Sequence, residues 1–441
     1  MYKTLSGPLS ASIEITGLCP NKCVHCYNFW RQNSKTNNEL QQNMSAEQIK
    51  LIFKKLSDAK IFKTTITCGE PLLNRQGLLT CLKEAKRLNI ATTVNSSLSP
   101  LSLIYLKELK KAGLEFVLTS IHGHNAEVHD EITQRKGSFD ALIKNLHMAR
   151  DEGIRIVTNM VVSIKNVNYI RQTAELVNSL GISNFAATKA NCQNSCNGFS
   201  DLSISQKQFG QYLDELYKIG EDLHMKVEVL ESYPLCGIKN IVRYKKFTGK
   251  KCFAGITTFT VASDGCVRAC SHEDISYGNI FHEEISVLWQ RMDGWRNGRF
   301  MPKTCKECKL FSVCGGGCRV EAKTIHKDFT AMDPYSSINN VDFCHQLLQS
   351  SNSSNVDNDD EIVGFTLNKI KSRDESFGSV IMSGTDFTYL NHDGTKILKQ
   401  FQCNVEYKIM DKRIDWVNIE SRNFVLGLIK RKVVSPITKK G

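Results

Sequence analysis

A chain of 441 residues, 41% hydrophobic and 23% charged, has the make-up of a globular protein and is long enough for two or three domains. Its apolar runs, such as Met160-Val161-Val162, are far too short to cross a bilayer, and MYKTLSGPLS lacks the basic and apolar segments of a secretory signal, so a cytoplasmic protein with no membrane partner is expected. The net charge of +12 is spread along the chain, dense only around 243–246 and near the C-terminus, and no recognition motif accompanies it, which argues against nucleic acid as a partner.

From the N-terminus, short β-rich runs alternate with amphipathic ones. Strands are predicted at 12–16, 63–67, 91–95, 116–121, 155–162 and 184–188, and helices at 45–59, 75–88, 100–111, 139–152 and 169–180. Ser45 with Gln48 makes a capping box, Ser99-Pro100 reads as an N-cap followed by proline, and Gly113, Gly153 and Gly181 stand where helices stop. Repeated βα units of this length imply a parallel sheet or barrel with its working loops at the C-terminal strand ends. From about 235 to 348 the helical periodicity fades and nine of the seventeen cysteines accumulate. SSNSSNVDNDDE (350–361) reads as a linker. The last eighty residues regain alternation, with strands at 379–381 and 388–390 and helices around 396–401 and 419–429.

Seventeen cysteines, an odd number in a long unsignalled chain, point away from a disulfide framework and toward metal or iron–sulfur ligation. The loop after the first strand reads CPNKCVHCY, with Cys19, Cys23 and Cys26 spaced C-x3-C-x2-C. Three thiolates on one short loop hold three corners of a cubane and leave the fourth iron open. A structural zinc site wants four protein ligands, and no fourth lies nearby in sequence. The second predicted strand ends in Cys68-Gly69-Glu70-Pro71, where glycine permits close backbone approach and a carboxylate suits an ammonium.

These residues resemble the radical S-adenosylmethionine (SAM) superfamily, whose cluster motif is the same C-x3-C-x2-C and whose second strand ends in GGEP. The resemblance implies a [4Fe–4S] cluster whose open iron is chelated by the methionyl amino and carboxylate groups of S-adenosylmethionine. Reductive cleavage then gives a 5′-deoxyadenosyl radical that abstracts a substrate hydrogen. It places His25 near the adenine and makes Tyr27, Gly69, Glu70 and Pro71 cofactor-binding candidates. Cys68 departs from the family glycine, either as a tolerated small residue or as a thiol near the site. The stretch from Ser120 through SIHG to GSFD resembles the family's fourth-strand region, with His122 in an aspartate position. Asn95, Ser120 and Arg135 become candidates for the ribose or carboxylate.

Cys252-x12-Gly265-x4-Cys270, then Cys305-x2-Cys308-x5-Cys314-x3-Cys318, then Cys344 resemble the SPASM extension, which carries two auxiliary [4Fe–4S] clusters. Carried over, Cys305, Cys308, Cys314 and Cys344 hold the distal cluster, and Cys252, Cys270 and Cys318 hold three irons of the proximal one. Its fourth ligand is either Cys236 or absent, leaving an open iron. Cys266 follows a hairpin turn at Asp264-Gly265 and stands about 13 Å along the strand from Cys270. Cys192 and Cys196 form a further C-x3-C without a third partner. FTYLNHDGTKILKQF (387–401) resembles the small winged-helix peptide-binding domain known as the RiPP recognition element, which binds a leader peptide at a sheet edge.

The expected architecture is therefore α/β: a partial (β/α)6 TIM-type barrel at 9–234, a SPASM extension at 235–349, a linker at 350–361 and a winged-helix-like leader-binding domain at 362–441. The expected activity is radical maturation of a ribosomally made precursor peptide, with a one-electron donor such as flavodoxin or ferredoxin as partner. An anaerobic sulfatase-type maturase oxidising Cys or Ser is the alternative, and an iron–sulfur electron-transfer protein without radical chemistry is the alternative from another class. The modified residue, the type of modification and a catalytic base are not named by the sequence.

Overall fold

Alternation of Ala11 and Ile13 with Ser10 and Ser12 turns one face of the first strand inward, and the second and fourth parallel strands alternate in the same way, whereas the sixth is buried along nearly its whole length. The computed structural model describes residues 4–28, 43–191, 202–244, 250–337, 362–384, 386–401, 403, 405–408 and 419–438. Cys192, Cys196, Cys344 and the linker lie outside the described residues. The chain divides into two units, Met1–Gln349 and Ser350–Gly441.

In the first unit, β1 (Ser10–Glu14), α1 (Ala46–Asp58), β2 (Lys63–Thr67), α2 (Arg75–Arg87), β3 (Ala91–Ser96), α3 (Leu103–Ala112) and β4 (Phe116–Ser120) come first. There follow α4 (Ala126–Thr133), α5 (Ser138–Asp151), β5 (Arg155–Val162), α6 (Ile170–Ser179), β6 (Asn184–Lys189), α7 (Gln206–Asp222) and β7 (Lys226–Glu228). The strands lie in the sheet order β7-β6-β5-β4-β3-β2-β1, each parallel to the next. This is the expected partial α/β barrel, its C-terminal strand ends gathered on one side. Ile13, Ile15, Phe53, Leu78 and Met160 are fully excluded from water in its core, each contributing about 1.5–3 kcal/mol of burial.

Two local expectations change. Helix α3 starts after Ser102, whose side chain accepts from Tyr105 N–H at 3.3 Å, and not after Ser99. Ser99 instead takes a bond from Arg135, so the 97–100 stretch serves the strand-end loop. Helices α4 and α7 carry the chain where no helix was predicted. Asn125 caps α4, and Ser205 with Gln208 makes a capping box on α7.

After β7 the chain returns to the sheet. Strand β8 (Thr258–Val261) pairs parallel with β1, Ser10 opposite Thr258, and turns through Asp264-Gly265 into antiparallel β9 (Val267–Arg268). Gly265 has φ +84° and a side chain there would strike Phe281 and Asn279 within 2.5 Å, which is why this turn needs glycine. Short helices α8 (Ile285–Arg291), α9 (Lys303–Lys306), α10 (Phe311–Cys314) and α11 (Arg319–His326) complete the unit.

The second unit has two three-stranded antiparallel sheets, ordered β14-β10-β15 and β11-β12-β13. Their strands are β10 (Ile362–Leu367), β11 (Lys371–Glu375), β12 (Gly378–Ser383), β13 (Asp386–Leu390), β14 (Glu406–Lys408) and β15 (Val434–Thr438). Asn391 ends β13 and caps the helix His392–Leu398 by accepting from Gly394 N–H at 2.8 Å. A second helix, Ile419–Lys430, packs Val425 and Leu428 against Phe365, Ile381, Leu390 and Tyr407.

Candidate active site

Cys19, Cys23 and Cys26 stand half-buried on the loop that leaves β1. Their loop has little regular structure, so its shape comes from anchors. Lys22 and Val24 donate their N–H groups to the carbonyls of Thr133 and Ile132 at the end of α4, both at 2.9 Å. Glu70 N–H reaches Leu18 O at 2.6 Å. Gly69 fits beneath this contact only without a side chain: with φ +56°, an added Cβ would lie 2.4 Å from Leu18 O and 2.5 Å from Thr16 O. The end of β2 is thus pressed against the cysteine loop, and Pro71, buried, opens the next turn.

Glu70 is buried and its carboxylate accepts four protein donors. Ser96 Oγ (2.6 Å) and Leu72 N–H (3.1 Å) meet Oε1, while Ser97 N–H (2.7 Å) and Ser97 Oγ (2.5 Å) meet Oε2. Burial pushes this carboxyl upward and the four bonds pull it down. Four donors use the lone-pair sites of a carboxylate, so Glu70 braces the ends of β2 and β3 and leaves the strand-end backbone to meet a ligand. Asn95, on β3, has a buried Oδ1 with no partner, and so do Asn28 Oδ1 and His25 Nδ1. Orphaned buried polar atoms are rare, and three of them around one half-buried thiol loop fit a polar cofactor. Arg135 donates to Ser99 Oγ at 2.6 Å and Asn21 Oδ1 at 3.5 Å, joining the cysteine loop to the loop after β3. Ser120 ends β4.

Three histidines line the same region. His25 meets His122 edge-on at 4.6 Å, and His122 stacks on His129 at 5.5 Å. Burial holds all three imidazoles neutral, pushing His25 and His129 down to about 4 and His122 well below its ordinary value. Nδ1 of His122 accepts from Val161 N–H, and Nδ1 of His129 from His122 N–H, which fixes each proton on Nε2. Nitrogens of His25 and His122 come within 4.8 Å of Cys23 Sγ and of each other; since Cys23 is claimed by the loop motif, this grouping belongs to the same site. Tyr27 bonds Thr67 Oγ1 at 3.1 Å and stacks on His272 at 4.8 Å. Cys68 is buried in the left-handed region at φ +67°, its Sγ accepting from Asn28 Nδ2 at 2.7 Å. A non-glycine residue there is strained.

Seven further cysteines form two sets, while Cys81, Cys266 and Cys403 stand apart from both. Cys305 and Cys314 lie in the electrostatic range of Cys308 and Cys236, while Cys252 acts on both Cys270 and Cys318. Burial raises the Cys252, Cys270, Cys305, Cys314 and Cys318 thiols, so apposing so many soft donors suits metal that takes them as thiolates. The expectation that Cys236 completes the Cys252, Cys270 and Cys318 set meets a different placement. Its turn, Leu235–Gly237, is pinned to the other set, with Leu235 N–H donating to Cys314 Sγ at 3.3 Å.

Several buried charges had no sequence signal. Arg268 on β9 is fully buried, bonds Glu14 Oε2 of β1 at 2.5 Å and holds Ser271 O and Glu273 O at 3.1 Å. It ties the cysteine loop's strand to the segment carrying Cys270. Lys189, at the end of β6, pairs with buried Glu321, reaches Asn191 Oδ1 at 2.5 Å and lies over the Tyr335 ring at 4.6 Å. A lone charge in an apolar strand is the only trace such residues leave in a sequence.

Comparison with known proteins agrees with this geometry. Residues 13–177 match the family described as the Radical SAM superfamily, and residues 252–309 match SPASM, an iron–sulfur cluster-binding domain. The antilisterial bacteriocin subtilosin biosynthesis protein AlbA of Bacillus subtilis is 28% identical over 339 residues, covering 73% of this chain and 69% of that one. Fe-coproporphyrin III synthase of Methanosarcina barkeri is 24% identical over 355 residues, 73% of this chain and 86% of that one. The structure of Streptococcus suis SuiB bound to precursor peptide SuiA shares the fold, with a TM-score of 0.61 at 16% identity over 76% of each chain.

Proposed function

Because the chain is a radical SAM enzyme with a SPASM domain, we propose that it modifies a ribosomally made precursor peptide, which its C-terminal unit recruits. The cofactors are [4Fe–4S] clusters and S-adenosylmethionine, and together they supply a carbon-centred oxidant able to take a hydrogen atom from an unactivated C–H bond. The chain's own residues position that chemistry. Cys19, Cys23 and Cys26 hold the first cluster, and Gly69 lets the β2 backbone approach the ligand on the open iron. Glu70 fixes the ends of β2 and β3, and Asn95 Oδ1 and His25 Nδ1 offer acceptors to the nucleoside portion. The neutral His122–His129 pair would add no positive charge to a region that holds a sulfonium cation. Cys305, Cys308, Cys314, Cys252, Cys270 and Cys318 hold the auxiliary iron–sulfur groups.

The observation that carries the peptide reading is the pairing of this site with a separate small unit whose outer strand β13 has β12 on one side and no ladder partner on the other among the described residues. Such an edge offers main-chain donors and acceptors to an incoming strand. AlbA is named for bacteriocin biosynthesis, and SuiB has been seen with its precursor peptide. Fe-coproporphyrin III synthase is named for a porphyrin, so substrate class is the quantity to test. The purified, reduced enzyme is incubated with a candidate precursor, and deuterium transfer from labelled peptide to 5′-deoxyadenosine is followed by mass spectrometry. Transfer that falls strongly when residues 362–441 are deleted, while uncoupled cofactor cleavage persists, is the expected result. Undiminished modification of a leaderless peptide by the truncated enzyme points to a sulfatase-maturase type of substrate selection.

A further inference from the structure

Arg319 opens α11 directly after Cys318 and is 5% exposed. Its Nη1 donates to Ala331 O at 2.6 Å and Phe329 O at 3.1 Å, and its Nη2 donates to Gly316 O. Among the described residues no carboxylate forms an ion pair with it, and its buried Nε has no partner. A guanidinium taken from water into the interior needs an opposing charge and a full set of acceptors. Backbone carbonyls supply acceptors for the two outer nitrogens but no net charge.

The carboxylate within its electrostatic reach, Asp328, is exposed, and on the buried side cysteines flank the space beside the guanidinium. A cavity of about 20 Å³ is lined by Arg319 together with Cys252, Ile256, Trp295, Phe311 and Gly315. On the other flank, Gly316, whose carbonyl Arg319 holds, is packed so that an added Cβ would lie 3.5 Å from Cys305 Sγ. Its surroundings thus include one cysteine from each set, Cys252 across the cavity and Cys305 against Gly316.

We propose that Arg319 is a positioning residue shared by the two auxiliary clusters, its Nε–H donating to cluster sulfur and its charge raising the reduction potential of both. Cluster potentials follow local net charge and hydrogen bonds to sulfur, and a cation favours the more negative, reduced form. One arginine reaching both thiolate sets sets the two potentials in common. This rests on the reading that the two cysteine sets hold clusters.

Redox titration of the anaerobically reconstituted full chain, followed by electron paramagnetic resonance, tests it. In Arg319→Gln the auxiliary signals should require a lower potential, by the equivalent of about tenfold in the one-electron equilibrium, about 59 mV. The signal of the Cys19, Cys23 and Cys26 cluster should not move, and Arg319→Lys should recover most of the shift. Because Arg319→Gln also loosens Gly316 and Ala331, the wild type carries a second test. Grown with guanidino-15N arginine, it should show 15N hyperfine coupling to a reduced auxiliary cluster, and Arg319→Lys should lose that coupling. Unmoved potentials at full iron content, or absent coupling in the wild type, overturn the proposal while leaving the clusters in place. A wild type that binds only about four irons sinks the cluster reading itself, and this inference with it.

Discussion

Two carboxylates show how burial assigns roles to single residues. Glu70 receives four donors, and replacing it by Gln turns an acceptor into a donor facing Ser96 or Ser97. An unsatisfied buried group costs about 1–3 kcal/mol, here at the join between cysteine loop and cofactor. Glu70→Gln should retain its iron yet cleave S-adenosylmethionine about 10–100-fold more slowly, the range typical of lost outer-shell support; cleavage at the wild-type rate would remove Glu70 from this role. Glu231 behaves differently. Burial raises its carboxyl to about 8 against the pull of Lys189, Asn191 bonds it, and Oε2 has no partner. A folded-state value above the unfolded one of about 4.3 means that the folded chain holds a proton the unfolded chain has released, so stability falls as pH rises from about 4.3 to 8 and is level beyond. Glu231→Gln cannot lose that proton. Its urea midpoint should therefore decline less than the wild type's between pH 5 and pH 8, and parallel declines would contradict the assignment.

At the scale of elements, what was legible in the sequence was whatever is encoded locally. The β-rich run 155–162 is β5 to the residue, and Ser45 with Gln48 forms the capping box that the sequence predicts. The three cysteines, Gly69 and Glu70 were legible because short-range spacing is itself the chemistry. Helix α3 was placed three residues early because Ser99-Pro100 carries the same local signal as a true cap, and only the bond to Arg135 shows that Ser99 is taken. Arg268, Lys189 and Arg319 were invisible for another reason: the first two are defined by partners 254 and 132 residues away, the third by the cysteines it neighbours in space, and spacing holds no record of that. Cys236 falls in the same class. The sequence alone put it with Cys252, whereas its turn is pinned to Cys314. Cys236→Ala should disturb the distal cluster and leave the proximal one spectroscopically intact, whereas loss of the proximal cluster alone would return Cys236 to Cys270 and Cys318. The triple replacement of Cys19, Cys23 and Cys26 by Ala should remove about a third of the iron bound by three cubanes and end all cofactor cleavage.

Across the whole molecule, the cysteine-bearing site lies in the first unit and the proposal places recruitment in the second, so a change to one should be felt differently by peptide and cofactor. Thr388 lies mid-strand in β13, opposite Ile381 of β12. Thr388→Pro removes a backbone donor, so leader affinity, read by fluorescence anisotropy on the full chain, should fall while S-adenosylmethionine cleavage without peptide stays at the wild-type rate. Equal losses in both would show that the units do not divide the work. The pairing of β8 with β1 carries a consequence of timing. Ser10 waits for Thr258, 248 residues later, and at ribosomal speeds of 5–20 residues per second that is about 12–50 s. Through that interval the first strand has a vacant edge and Glu14 lacks Arg268, so the nascent chain leaves its cysteine loop open to iron delivery, and to oxygen, until the extension has been made. Slowing translation between the codons for Val162 and Thr258 should therefore lower the yield of loaded enzyme in air and leave it unchanged under anaerobic growth.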